Sequence, residues 1–163
     1  LNRTIMIHSF SKTFAMTGWR IGAVTGPKEL INRMHLLFET INSCVPPFIQ
    51  IAAAEVLKHG GQASLEMIDK YQQRRDLLVD GINEIYNISC IKPEGTFYAF
   101  ANIKNHLPSS IDFSHKLLEE LNIATCPGIY FGKNGEGYVR FCFATSKKNI
   151  RSALIRMKND LCK

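Results

Sequence analysis

No run of about 18 consecutive apolar residues occurs in the chain, which excludes an ordinary membrane-spanning helix. Residues 1–10 lack the basic region, apolar stretch and cleavage site of a secretory signal, so no export is expected. The five cysteines, Cys44, Cys90, Cys126, Cys142 and Cys162, form no C-x-x-C pair. Their odd number and wide spacing argue against a disulfide framework and against a metal site, and predict reduced, mostly packed thiols in a cytoplasmic protein. There is no internal repeat and no low-complexity segment. A basic block is also missing. The net charge is +6, yet the basic residues are dispersed except for Lys147, Lys148, Arg151, Arg156, Lys158 and Lys163 near the end. A solvated helix face explains that group, so neither a nucleic-acid nor a membrane partner is expected. The first residue is not methionine, and TIMIHSF already reads as a strand from residue 4. The expectation is that the chain is a fragment of a longer protein.

What is present is an ordinary globular composition, 45% hydrophobic and 21% charged over 163 residues. A domain of that length buries roughly 70% of the surface of its unfolded chain. Residues 4–9 predict a buried strand and residues 21–24 a second one, closed by Gly26-Pro27. Leu30, Ile31, Met34, Leu37, Phe38 and Ile41 recur at helical spacing until Pro46-Pro47 ends the pattern. Residues 48–58, rich in alanine and apolar nearly all round, predict a well-buried helix. After the break at His59-Gly60-Gly61, Ser64 is the expected cap of a helix running to about Tyr86, with Ile68, Tyr71, Leu78, Ile82 and Ile85 as its apolar stripe. At 1.5 Å per residue it would span roughly 33 Å, which suits an element bridging two domains. Short strands follow at 88–91, 96–103, 123–126 and 138–144. Asp112 is expected to cap a helix to about Leu121, and Ser146 a last one to Leu161. The fold class is α/β with an α+β second domain whose sheet is partly antiparallel.

The chemistry concentrates in SFSKTFAMTGWRIG, residues 9–22. A lysine at the end of a buried strand loses solvation, which favours the neutral amine that a Schiff base with an aldehyde requires. Once freed, that amine can move a proton. Ser9, Ser11 and Arg20 supply hydroxyls and a planar guanidinium suited to a phosphate dianion, and Gly18 and Gly22 would let the backbone turn around it. An aldehyde carrying a phosphate, bound to Lys12, is the ligand this set suggests; a surface or structural Lys/Arg pair is the alternative. In the strand at 138–144, Arg140 shares a face with Tyr138 and Cys142 while Val139, Phe141 and Phe143 fill the other. A lone arginine there needs a partner: Glu136 in a salt bridge, or a ligand. His8 reads as a hydrogen-bonded core or interface histidine, Trp19 as a packing residue, and Tyr98 and Tyr130 as core aromatics that could approach a substrate.

The stretch closely resembles the lysine signature of class I/II aminotransferases, fold type I pyridoxal-phosphate enzymes, through Ser9, Ser11-Lys12 and Gly18-x-Arg20-x-Gly22. PEGTFYAF (93–100) is similar to the family's first small-domain strand, CPGIYFG (126–132) to its loop near the active-site mouth, and GYVRFCFA (137–144) to the strand whose arginine holds the substrate α-carboxylate. TFAMTGWRIG resembles the bacterial aspartate and aromatic branch. The resemblance implies the C-terminal part of the fold type I fold: residues 1–58 as the tail of the large cofactor-binding domain, 59–163 as bridging helix and small domain. It implies pyridoxal 5′-phosphate bound covalently by Lys12, with Ser9, Ser11 and Arg20 on its phosphate, Arg140 on the substrate carboxylate, amino acid and 2-oxo acid substrates, a homodimer, and no metal. Residues that hold the cofactor ring precede the lysine in this family. Asp69, Asp76, Asp80, Asp112 and Asp160 all follow it, and none matches, so the chain alone is expected to have little activity. A β-lyase or decarboxylase of the same fold, and the aminotransferase-like sensor domain of a transcription regulator, are the competing expectations.

Overall fold

A computed structural model describes residues 3–161. Cys162 and Lys163, which the sequence places among the thiols and the basic group, lie outside the described residues, as do Leu1 and Asn2. The chain divides into two compact units, residues 1–67 and 68–163.

In the first unit, strand β1 (Met6–Ser9) pairs antiparallel with β2 (Gly22–Thr25), Met6 lying opposite Thr25 and Ser9 opposite Gly22. Between them the chain forms one helical turn, α1 (Phe10–Thr13), and a 3-10 turn at Thr17–Trp19. Helices α2 (Lys28–Asn42) and α3 (Pro47–His59) follow, α3 opening on Pro46-Pro47, where the missing N–H costs nothing. Phe10, Met16 and Ala53 are the buried centre, with Phe14, Ile21, Ala23, Ala52 and Val56 around them.

Two expectations fail here. No position of β1 is buried, and Ile7 is 78% exposed. In α3 only Ala53 is buried, while Phe48, Ile51 and Leu57 are exposed, Ile51 to 70%. The apolar periodicity is real, but the rest of this unit covers just one side of each element.

Helix α4 (Gly61–Asn83) has 23 residues, and the division between the units falls within it. Ser64 is not its cap: the helix has already begun, and the Ser64 hydroxyl donates to the Thr13 carbonyl at 3.1 Å. The helix stops three residues before Tyr86. The Asn83 side chain turns to the following strand, accepting from Cys90 N at 2.7 Å and donating to Cys90 O at 3.0 Å.

The second unit holds a four-stranded antiparallel sheet in the order β3 (Ser89–Cys90), β4 (Tyr98–Asn102), β6 (Tyr138–Cys142), β5 (Cys126–Pro127). Helices α5 (Ser110–Glu119) and α6 (Lys147–Leu161) complete it. Ser109, not Asp112, caps α5: its hydroxyl accepts from the Asp112 N–H at 3.2 Å. Ser146 caps α6 as expected, accepting from Asn149 N at 3.1 Å. The edge strand starts later than the sequence suggests because α5 closes with Asn122 left-handed (φ 52°), Ile123 N bonded to Leu117 O and Asn122 N to Leu118 O. That closure takes Ile123 out of the strand. Ala99, Ala101, Ile103, Val139, Phe141 and Phe143 cover one sheet face and join Val79, Ile82, Phe113, Leu117, Leu154 and Met157 in one core. Alternation along β6 therefore places Arg140 on the other, open face.

Candidate functional site

The strip 9–22 is held from behind. Phe10 is buried and stacks obliquely on Phe14 at 5.5 Å, and Met16 is buried beside them. The ladder continues past β1 and β2 through Phe10 N to Ile21 O, 3.3 Å. This register brings Ser9 opposite Gly22 and starts Ser11, Lys12 and Arg20 from the same closed end. Ser9 caps α1, its hydroxyl accepting from Ser11 N at 3.2 Å, and Lys12 is the third residue of that turn.

The glycines work differently from expectation. Gly22 is required because a Cβ would stand 2.8 Å from the His8 carbonyl of the paired strand, whereas Gly18 faces open space. The left-handed backbone falls on Ala15 (φ 53°) and Arg20 (φ 52°). A non-glycine residue there costs of order 1–3 kcal/mol, and such strain clusters at functional sites. Arg20 is fixed in that conformation by its own Nη1, which donates to Thr17 O at 3.1 Å. Ser9, Lys12 and Arg20 are exposed and Ser11 partly so. The burial argument for Lys12 is therefore not met within these residues. His8 is exposed rather than core, and Trp19 is 43% exposed.

Arg140 occupies the middle of β6, opposite Phe100 of β4 and Cys126 of β5. It makes no salt bridge with Glu136. That carboxylate is taken by Ser110 N at 2.6 Å, Ser110 Oγ at 3.2 Å and Gly137 N at 3.1 Å. These donors, above all the Ser110 N–H, hold the Glu136 carboxyl below its usual range. Among the described residues Arg140 has no carboxylate partner. Its guanidinium carbon instead lies over the Tyr98 ring at 4.1 Å and the Phe131 ring at 4.4 Å. It lines a cavity of about 440 Å³ with Ser89, Ile91, Tyr98, Phe100 and Tyr138. Tyr98 is thus half-buried beside Arg140 rather than in the core, and Tyr130 is exposed. Phe131 was not singled out by the sequence, since a phenylalanine after CPGIY carries no chemical signal of its own.

The family model for aminotransferase class I and II matches residues 1–157. The chain belongs to the class I and II aminotransferase family. Among its relatives, the aspartate aminotransferase of Pyrococcus horikoshii is 41% identical over 160 residues, which are 97% of this chain and 41% of that protein. Aromatic-amino-acid aminotransferase 2 of Thermococcus litoralis is 41% identical over 162 residues, 98% of this chain and 41% of that one. The crystal structure of the aromatic aminotransferase from Pyrococcus horikoshii superposes with a TM-score of 0.90 at 42% identity, covering 97% of this chain and 43% of that one. The chain thus spans about two fifths of the length of these aminotransferases and has the fold of a C-terminal portion of fold type I. Class I and II aminotransferases generally depend on pyridoxal 5′-phosphate. The donor set of strip 9–22 fits that group: one primary amine for an aldehyde, two hydroxyls and one guanidinium for a phosphate. Among the described residues no cluster of three metal-ligating side chains occurs, and no helix is long and apolar enough to cross a membrane.

Proposed function

We propose that this chain is part of a pyridoxal-phosphate-dependent aminotransferase that moves an amino group between an amino acid and a 2-oxo acid. The observation that carries the reading is the β1–β2 register, which starts two serines, the lysine and a strained arginine from one closed hairpin end. Residues 1–58 are the tail of the large cofactor domain, and 59–163 the bridging helix and small domain. Bound cofactor would supply an aldehyde that condenses with amines and a ring that accepts electrons. Ser9, Ser11 and Arg20 would hold its phosphate through hydroxyl and guanidinium donors. The Lys12 amine would hold the aldehyde carbon and, when free, would carry the proton to and from the substrate α-carbon. Arg140 orients the α-carboxylate with parallel N–H donors. The whole protein works as a homodimer in the cytoplasm. The free thiols of Cys44, Cys90, Cys126 and Cys142 suit that reducing compartment.

The test is amino-acid bookkeeping on the whole protein with the cofactor, a panel of amino acids and 2-oxoglutarate. Each oxo acid formed should be matched by one glutamate, with no ammonia released. Ammonia and pyruvate without new glutamate would assign elimination instead.

A further inference from the structure

A cation on an open sheet face is normally steadied by a carboxylate, which occupies its N–H donors. Arg140 is steadied by rings. Its guanidinium lies over Tyr98 and Phe131 and donates no hydrogen bond to any described residue. A ring face attracts a cation through its quadrupole and uses none of the guanidinium N–H groups. An aspartate or glutamate partner would use those same N–H groups and compete with an incoming carboxylate. The two rings are themselves braced. Tyr98 belongs to β4, in register opposite Cys142, and packs on Phe97 at 4.6 Å. Phe131 sits edge-on to Phe100 at 6.1 Å, and Phe100 stacks on Tyr138 at 5.2 Å with the rings nearly parallel.

The 3-10 turn Gly128–Phe131 that carries Phe131 is clamped at its base. Gly128 and Gly135 pack backbone on backbone, so closely that a Cβ on Gly128 would stand 2.1 Å from the Gly135 carbonyl. The fully buried Ser110 accepts from Ile129 N at 3.3 Å and donates to the Glu136 carboxylate, joining both ends of the segment to the start of α5.

We propose that Tyr98 and Phe131 are positioning residues for Arg140: their ring faces hold the guanidinium while leaving its donor edge available to the substrate carboxylate. This rests on the reading of Arg140 as the carboxylate anchor. Glu136 and Ser110 serve the same end one step further out, by fixing the turn on which Phe131 rides.

The test compares each amino acid with its decarboxylated amine in the whole protein with cofactor, taking the ratio of the two kcat/KM values as the grip on the carboxylate. Tyr98→Leu and Phe131→Leu should each lower that ratio by about 3- to 30-fold, the amine reaction falling by less. Tyr98→Phe and Phe131→Tyr, which keep the rings, should restore most of the ratio. Arg140→Lys separates the two ideas. If it leaves the ratio unchanged, the anchor reading fails and this inference with it. If it lowers the ratio while both leucine variants do not, the anchor stands and the positioning role is overturned. Equal losses in Tyr98→Phe and Tyr98→Leu would also overturn it. A readout independent of any variant's folding is the Nε–H proton of Arg140 in the nitrogen-15-labelled wild-type protein. Ring currents should move it away from the position common to exposed arginines, and an ordinary position would contradict the arrangement.

Discussion

Residues 1–67 and 68–163 use similar proportions of apolar side chains to opposite effect. The second unit folds its apolar residues into one core of twenty buried members, and Ile82, Phe113 and Val139 have no exposure at all. Among the described residues the first buries only Phe10, Met16 and Ala53, while Ile7, Leu36, Phe38, Ile41, Phe48 and Ile51 face outward. These apolar side chains are exposed within this chain. The contrast separates two kinds of site. The geometry around Arg140 is fixed by its own unit's core, hydrogen-bonded loop and rings. The geometry around Lys12 is set locally by the β1–β2 ladder, the Ser9 cap and the Phe10 anchor, and the lysine itself is exposed.

The sharpest test of this contrast is a pair of core deletions. Phe113→Ala should cost the second unit about 3–5 kcal/mol by urea unfolding, because a ring with no exposure leaves a cavity. Ile51→Ala in the same chain should cost well under about 1 kcal/mol, since its side chain is 70% exposed. Equal costs would erase the distinction. Next in size, Gly128→Ala should destabilise the second unit by about 1–3 kcal/mol, because the added methyl meets carbonyl oxygens of Gly135 and Tyr138 that belong to backbone and cannot swing away. A smaller effect, about 0.5–2 kcal/mol, is expected of Ser109→Ala, which removes the α5 cap. Asp112→Ala should cost less than the serine change if the capping assignment is right.

The last effect is a slope rather than a step. Glu136 has its carboxyl held below the ordinary value of 4.5 by hydrogen bonds from Ser110 and Gly137. Its contribution is therefore fully present above about pH 4.5 and is lost as the pH falls through the lower folded value. Stability measured from pH 7 down to 3 should decline less steeply in Glu136→Gln than in the wild type. Parallel declines would show that the clamp on the Phe131 turn is not carboxylate-based. Amide exchange provides the complementary map: Val79, Ile82 and Val139 should exchange only on global opening, and α2 and α3 through local openings.

Much of this was legible in the sequence, for physical reasons that also explain the exceptions. Period and breakers located the long helices and five of the six strands among the described residues, because side-chain spacing and proline act locally; the edge strand at 123–126 was met only at Cys126. The alternation along β6 placed Arg140 opposite Val139, Phe141 and Phe143 without error. Caps were harder. Ser64 and Asp112 are good capping types, but whether a hydroxyl or carboxylate caps its own helix depends on what else it can reach, and Ser64 reaches Thr13 across 51 positions of sequence. Burial was hardest. The apolar α3 and β1 read as core because pattern reports which residues need cover, not whether it is present. The role of Phe131 was invisible because it depends on a loop closing over a strand. The left-handed Ala15 and Arg20 were missed because the glycines nearby drew the expectation of the turn to themselves.

The central claim is that the amine of Lys12 is the group that takes up the cofactor aldehyde. The direct measurement is borohydride reduction of the whole protein purified with pyridoxal 5′-phosphate, followed by mass mapping of the digested peptides. A reduced pyridoxyl label is expected on Lys12 of SFSKTFAMTGWRIG and none in a Lys12→Ala variant; a label on any other lysine, or its persistence in that variant, would contradict this role of Lys12.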